Sequence, residues 1–302
     1  MRMEKKYIGG FVLFLLLLNF FAWKEVFALE SPQILKVDFL DVGQGDAAFI
    51  ETPEKHQILI DGGPTSAVLQ KLADRMPFWD KEIDLVILTH PESDHMRGLF
   101  GVLQRYKVKY ILWTGIVRTT SEFQKWVNVL DQKQKPKTGF LASINFGDIA
   151  TKVVNADSKI KIKAGNVEID ILYPFENLAG KELKNTSNDT GVVAKLTYGK
   201  DSFIFTGDIS SVAEKELVNS KENILSDVLK VAHHGSKYST SDLFLQNANP
   251  KIAVISVGAK NTYGHPTPEV LQRLEKYDIK VLRTDQAGDI NMVSDGNSIK
   301  IK

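Results

Sequence analysis

A chain of 302 residues, 43% hydrophobic and 25% charged, carries enough apolar side chain for one large buried core and lies outside the disordered and repeat classes. Lys and Arg number 38 against 37 Asp and Glu, so overall charge lends no support to nucleic-acid binding. The absence of cysteine excludes disulfides, a lipid-modified cysteine and thiolate ligands, leaving His, Asp, Glu or Asn to hold any metal.

The N-terminus is of a different character from the rest. Arg2, Lys5 and Lys6 precede an apolar run from Ile8 to Trp23 with Asn19 as its polar interruption. At about 1.5 Å per helical residue this run is marginal for a hydrocarbon core of about 30 Å, and Val26-Phe27-Ala28 offers a small residue for signal cleavage. Residues 1–28 are therefore expected to be a signal peptide or an N-terminal membrane anchor. The basic flank places the rest of the chain outside the cytoplasm, secreted or anchored. Without residues 1–28 the balance becomes 34 bases to 35 acids.

From residue 33 the pattern is strand-like. Ile34–Leu40, Ala47–Glu51 and Gln57–Ile60 predict a β-meander, turning at Gly43-Gln44-Gly45-Asp46 and ending at Asp61-Gly62-Gly63, not a dinucleotide-binding unit. Ser66–Met76 reads as a helix and Leu85–Leu88 as a buried strand, which delivers Thr89-His90-Pro91-Glu92-Ser93-Asp94-His95. A helix over Met96–Tyr106, a strand at Tyr110–Trp113 and an amphipathic helix over Glu122–Gln134 follow. Lys133, Lys135 and Lys137 read as a surface loop. Lys159–Lys163 and Val167–Leu172 alternate around Gly165-Asn166, a hairpin signal. Strands at Val192–Leu196 and Ser202–Thr206 lead to Gly207-Asp208, a helix to Val212–Val218, and a strand at Val228–Val231 to His233-His234-Gly235-Ser236. A strand at Ile252–Ser256, a helix from Thr267-Pro268 and closing strands complete residues 33–302 as one α/β domain, a four-layer αββα sandwich.

Five of the six histidines follow apolar strands directly, at His90/His95, His233/His234 and His265. Side chains at strand ends share one rim of a layered fold, where ligands converge. A helix-capping loop at Ser93 or Asp94 would account for the polar residues around His90 but not for two imidazoles. Thr267 as a cap with Pro268 at the first helical position likewise explains that helix start without explaining His265. His56, in a polar segment, reads as an ordinary surface residue.

These residues resemble the metallo-β-lactamase fold family, whose motif is H-x-H-x-D-H. The resemblance extends through Leu59–Gly63, Phe205–Asp208 and Ala232–Ser236. Asp41-Val42-Gly43-Gln44-Gly45-Asp46, Asn188-Asp189-Thr190 and Tyr263-Gly264-His265-Pro266 narrow it to the metallo-hydrolase domain of ComEC-type competence proteins. The resemblance implies His90 at one metal, Asp94 and His95 at a second, Asp208 bridging, and His233 or His234 closing the second site. Asp61 would orient a ligand, and Asp46, Asn188 and Ser236 would support the site or touch substrate.

Two departures stand out. Glu92 replaces the family's second histidine, and Ser187–Gly191 lacks its third. With Glu92 as a ligand, oxygen donors gain weight and one or two divalent ions are expected, Mn²⁺ or Mg²⁺ ahead of Zn²⁺. The implied activity is a phosphodiesterase acting outside the cytoplasm on DNA, with a separate DNA-uptake channel as a candidate partner. Asp94 or Asp208 would take a proton from water, and His234 or His265 would serve the leaving oxygen. Hydrolysis of a small ester, lactone or cell-wall phosphodiester, and a non-catalytic binding module with a degenerate site, are the competing expectations. Arg97 either approaches an anionic substrate or caps the rim.

Overall fold

The computed structural model describes residues 2–30, 33–134, 151–182 and 187–302, with the backbone alone for residues 2–8, 24–30, 134 and 187. Two compact units result, Met1–Gln33 and Ile34–Lys302. The first is helix α1 (Arg2–Glu30), whose described side chains, Gly9 to Trp23, are exposed. Among the described residues no helix is long and apolar enough to cross a membrane.

The second unit is built on two sheets. Strands β1 (Leu35–Phe39), β2 (Ala48–Glu51) and β3 (Gln57–Ile60) form the expected antiparallel meander. Strands β4 (Glu82–Ile87), β5 (Lys107–Trp113) and β6 (Lys152–Asn155) extend it in parallel, since helical connections return each strand to the same starting edge. In the second sheet, β7 (Lys161–Ala164), β8 (Val167–Tyr173), β9 (Val193–Tyr198) and β10 (Asp201–Phe205) are antiparallel neighbours. Strands β11 (Val228–Lys230), β12 (Ile252–Ile255) and β13 (Lys280–Arg283) continue in parallel. The last strands, β14 (Ile290–Ser294) and β15 (Ile299–Ile301), return to the first sheet beside β1. The orders are β15-β14-β1-β2-β3-β4-β5-β6 and β13-β12-β11-β10-β9-β8-β7.

Alternation along the strands divides the apolar residues between two faces. Val37, Ile50, Ile58 and Ile87 meet Ile169, Leu196, Phe203 and Val228 between the sheets, where the Phe39 and Phe205 rings stack at 5.8 Å. Outward-facing residues pack under α2 (Ala67–Ala73), α3 (Ser93–Arg105) and α4 (Ser121–Gln134) on one side. On the other they pack under α5 (Ser211–Asn219), α6 (Asp242–Ala248) and α7 (Pro268–Lys276). The fold is the αββα sandwich that the sequence predicts.

Local departures have physical reasons. Helix α3 starts at Ser93 instead of Met96, because Glu92 is extended and its carbonyl already accepts from the His95 and Met96 N–H groups. Asp94 and His95 thus sit on a rigid first turn, not in a loop. Strand β6 and helix α6 escape the sequence reading; α6 spans two turns, with Phe244, Leu245 and Ala248 buried and Ser241 as its cap. The Gly165-Asn166 hairpin is as expected, Ala164 facing Val167. Thr267 occupies the cap position of α7 ahead of Pro268, yet its side chain makes no capping bond. Lys133 belongs to α4, and the loop expected at Lys135 and Lys137 lies outside the described residues.

Candidate metal centre

Strands β4, β10 and β11 finish at one edge of the sandwich and release His90, Asp208 and His233-His234 there. The backbone turns sharply at each exit. His233 and His234 both adopt left-handed conformations, with φ of 50° and 53°, a costly geometry for side chains with a Cβ that turns both imidazoles into the same space.

Asp208 is the hub. Its Oδ2 lies 3.3 Å from His95 Nε2, 3.5 Å from His234 Nε2, 3.9 Å from His233 Nε2 and 4.0 Å from His90 Nε2. Asp94, the more exposed carboxylate, places Oδ2 3.2 Å from His234 Nε2 and 3.9 Å from His95 Nε2. The imidazoles thus divide by carboxylate: Asp208 and Asp94 both approach His95 and His234, whereas His90 and His233 pair with Asp208.

The opposite faces of the rings are tied back. Asp61 accepts from His95 Nδ1 at 2.8 Å and is itself held by the Thr89 N–H (2.8 Å) and hydroxyl (2.7 Å). The Ser256 carbonyl accepts from His234 Nδ1 at 2.9 Å. Asp46, which the sequence reading gives a supporting role, is buried 3.8 Å from His95 Nδ1 and 3.3 Å from His234 Nδ1. Its Oδ1 faces His234, and its Oδ2, which faces His95, is paired to the buried Lys230, so it stands behind both rings. Asp46, His95, Asp208 and His234 offer potential ligand atoms that all lie within 4.8 Å of one another. By direction, the Nε2 atoms point to Asp208 and Asp94, while Asp46 stands on the Nδ1 side.

Buried polar atoms normally find partners. Here His90 Nε2, His95 Nε2 and Asp208 Oδ1 are buried with none, the two nitrogens within 4.0 Å of Asp208 Oδ2. Such a set of orphaned nitrogen and oxygen donors fits a divalent cation. The electrostatics agree. Burial opposes charge on His234, but Asp208 and Asp46 outweigh it and push the imidazole up to about 10. Burial likewise opposes charge on His95, yet Asp208, Asp61 and Asp46 raise it well above its ordinary value. Burial, with His95 beside it, pushes His90 down to about 3. Two protons thus stand where positive charge is wanted, and a metal can take those ring nitrogens only by displacing them. Between about pH 7 and 9, uptake of a divalent ion should release one to two protons per chain, and apparent affinity should fall as pH drops. Calorimetry in two buffers of different ionisation enthalpy measures the release; His90, already neutral, contributes none.

The centre opens into a cleft of about 350 Å³ lined by residues including Gln44, Glu92, Asp94, Arg118, Asn188 and His265. Asn188 Nδ2 lies 3.4 Å from His233 Nδ1. His265 sits at the mouth, its ring 5.7 Å from that of His233 and stacked on the exposed Tyr263 at 5.9 Å, with Nδ1 unpartnered. The structure therefore brings His90, Asp94, His95, Asp208, His233 and His234 together, with Asp46 and Asp61 behind them and Asn188 and His265 at the rim.

Glu92 and Ser236 are placed differently. Glu92 lies at the rim as the cap residue of α3 and accepts from Arg118 Nη2 at 3.0 Å; the converging donors do not include it. Ser236 is buried in its own loop, where its Oγ accepts from the Tyr238 N–H, and it does not line the cleft. Arg97 pairs with Glu122 of α4 and is likewise no part of the cleft lining. The sequence reading misses Lys230, Arg118 and Tyr263 as contributors. Lys230, one residue inside an apolar strand that ends in two histidines, was the visible signal, since a lysine there requires a buried carboxylate.

Fold and site together define a class. Residues 40–259 match the metallo-β-lactamase superfamily, and the chain belongs to it. It is 34% identical over 274 residues to ComE operon protein 3 of Bacillus subtilis, covering 84% of this chain and 32% of that protein. It is 28% identical over 277 residues to competence protein ComA of Neisseria gonorrhoeae, covering 91% of this chain and 34% of that one. The chain thus spans about a third of the length of these relatives. Among solved structures, the metallo-β-lactamase fold protein YhfI from Bacillus subtilis is similar in fold, with a TM-score of 0.54 at 16% identity, covering 87% of this chain and 100% of that one.

Proposed function

We propose that this chain is a metal-dependent phosphodiesterase that cleaves DNA outside the cytoplasm, held at the membrane by residues 1–28 or released by their cleavage. The observation that carries the reading is the convergence of five imidazole and carboxylate side chains around Asp208 beneath a cleft bearing Arg118. The likeness to competence proteins supports DNA as the substrate.

Two donor groups sharing Asp208 suit one or two divalent ions. With four imidazoles and oxygen from Asp94 and Asp208, the mixed set fits Mn²⁺ as well as Zn²⁺ and stands further from the all-oxygen preference of Mg²⁺. When bound, such an ion supplies a Lewis acid for a phosphoryl oxygen and acidifies a water.

The chain's own residues do the rest. Asp94, part-exposed at the cleft, is placed to accept the proton of an attacking water. His234 is committed at both nitrogens, to Ser256 and to the carboxylates, so it is a ligand and not a proton donor. His265 at the mouth serves the leaving oxygen. Burial, with His233 and His234 nearby, lowers its basicity. Tyr263 offers an exposed ring on which a base can stack. Arg118, oriented by Glu92, presents a planar fork to a non-bridging phosphate oxygen.

The test is cleavage of single-stranded DNA, duplex DNA and a bis-aryl phosphate by the full chain with Mn²⁺, Zn²⁺ or Mg²⁺. Metal-dependent scission of DNA is expected. Hydrolysis of an uncharged ester or lactone in its place would overturn the phosphodiesterase reading, and inactivity toward every substrate with each metal would overturn the enzyme reading. Arg118→Ala should raise KM for DNA about tenfold or more, with a smaller effect on kcat.

A further inference from the structure

We propose that the outer face of the second sheet carries a binding site for a phosphorylated sugar, free or as part of a nucleotide, at the end of the sandwich away from the metal cleft. The site stands independently of the function proposed above.

A cavity of about 630 Å³, within the size range of small-molecule sites, lies over β8, β9 and β10 and is walled by the segment after α5 and by Asn249. Its floor is a cross-strand row. Lys161 of β7 faces Asp170 of β8, and Asp170 faces Lys195 of β9. Strand alternation sets this row outward, because Ile169, Ile171, Ala194 and Leu196 belong to the core between the sheets. The outward residues nearer the metal edge, Leu172, Val193 and Ile204, pack under helices, whereas Asp170 and Lys195 are left to line the cavity.

Lys195 is 7% exposed, yet among the described residues no carboxylate lies within 4.0 Å of it; its Nζ donates to the Asn223 carbonyl at 3.1 Å. The neighbouring acids are engaged elsewhere. Asp170 pairs with Lys161 at 3.2 Å, and Asp227 pairs with Lys251 at 2.9 Å while accepting from the Ser202 N–H and hydroxyl at 3.0 Å each. Burial accordingly holds Lys195 below the ordinary lysine range, against the pull of Asp170 and Asp227. A second, independent orphan lines the same cavity: Ser226 is 3% exposed and its Oγ has no hydrogen-bond partner. Lysines are rarely buried without a counter-charge, and buried hydroxyls rarely lack a partner. An oxyanion in the cavity would satisfy both.

The remaining lining narrows the ligand. Lys200 and Thr197 add an ammonium and a hydroxyl, so the donors exceed what one carboxylate uses and suit the three terminal oxygens of a phosphate. Glu222 on the wall is an acceptor only, and it answers to hydroxyl groups of a ligand, not to its anion. A molecule that brings an anion and hydroxyls together is a sugar phosphate. Ser202 stands at the start of β10 and Ser226 just before β11, whereas Asp208 and His233 follow the ends of these strands. The length of β10 therefore separates the two sites by roughly 16 Å, and their linings share no residue.

The test is calorimetric titration of the full chain in EDTA, which leaves the metal cleft without an ion, using ribose 5-phosphate, deoxyadenosine monophosphate, ribose and inorganic phosphate. One-site binding of a phosphate ester is expected, at least about tenfold tighter than that of ribose or inorganic phosphate. Tighter binding of the nucleotide identifies that source, and tighter binding of ribose 5-phosphate the free sugar phosphate. Lys195→Met should weaken binding about tenfold or more and Ser226→Ala severalfold, while Asp208→Asn should leave it unchanged. Lys200→Ala, at an exposed position that does not touch the core, should also weaken it and decides the matter if Lys195→Met fails to fold. Absence of binding at millimolar ligand, equal affinity for inorganic phosphate, loss of binding in Asp208→Asn, or full binding in both lysine variants would each overturn the proposal.

Discussion

Asp208→Asn should abolish metal-dependent turnover, by at least about a hundredfold in kcat/KM, and should lower metal stoichiometry at both donor groups. The expectation follows from geometry. Among the described residues Asp208 is the one carboxylate within 4.0 Å of four imidazole Nε2 atoms, so an ion held by any of these rings would draw on its charge. An amide keeps the volume but loses the charge, which burial, opposed by His234 and His95, leaves well below the ordinary carboxylate range. The fold should persist, because the buried cluster loses one of several like charges. Metal analysis by mass spectrometry alongside circular dichroism separates the two outcomes. A variant that retains metal and turnover would remove Asp208 from the bridging position.

His233 and His90 should respond more weakly than His95 and His234. The two weaker positions lie 3.9 Å and 4.0 Å from the shared oxygen, and His233 is part-exposed; behind them stand Asn188 at 3.4 Å and the Thr89 hydroxyl at 3.1 Å, whereas Asp61 and Ser256 hold His95 and His234 at 2.8 Å and 2.9 Å. This asymmetry in the pinning of the rings was not visible in the sequence. A run such as His233-His234 gives two candidate ligands without saying which ring turns which way; only the left-handed backbone there brings both Nε2 atoms within 3.9 Å of the Asp208 carboxylate.

What was legible is what depends on local pattern. Period-two alternation in β1 to β3 and β8 to β10, the turn residues after them, and histidines released at strand ends are written in short windows, and they yielded the layers and six of the clustered side chains. What was not legible depends on pairing across the fold. Lys230 meets Asp46 over 184 positions of sequence, and Glu92 meets Arg118 over 26, so neither partner could be named from its own segment. The consequence for Glu92 is chemical. A residue expected among the ligands instead holds the Arg118 guanidinium at the rim of the cleft.

Gly98→Ala should disrupt the fold, and it should act on the metal centre without altering a ligand. The α3 helix lies so close to the Asp61–Thr65 segment that a Cβ at residue 98 would stand 1.9 Å from the Gly62 carbonyl oxygen and 2.7 Å from that of Thr65. Both are backbone atoms, so relief requires moving the helix. The same contact is stitched by hydrogen bonds: Gly98 N–H donates to Gly63 (2.9 Å), Gly62 N–H to His95 (2.7 Å) and Asp46 N–H to Asp94 (3.3 Å). Overpacking of this kind costs about 1–3 kcal/mol or more. At about 2–4 °C per kcal/mol for a domain of this size, the melting temperature should fall by up to roughly 12 °C. Because Asp94 and His95 ride on the displaced turn, metal affinity should fall with it. Gly101→Ala on the same helix is the control: its Cβ would meet Leu69 Cδ1 at 3.0 Å, a side-chain end that can move. Helix propensity gains about 1 kcal/mol there, so melting temperature and metal affinity should hold or rise. Equal melting temperatures for the two variants would show that the α3 contact with Gly62 is looser than the geometry states.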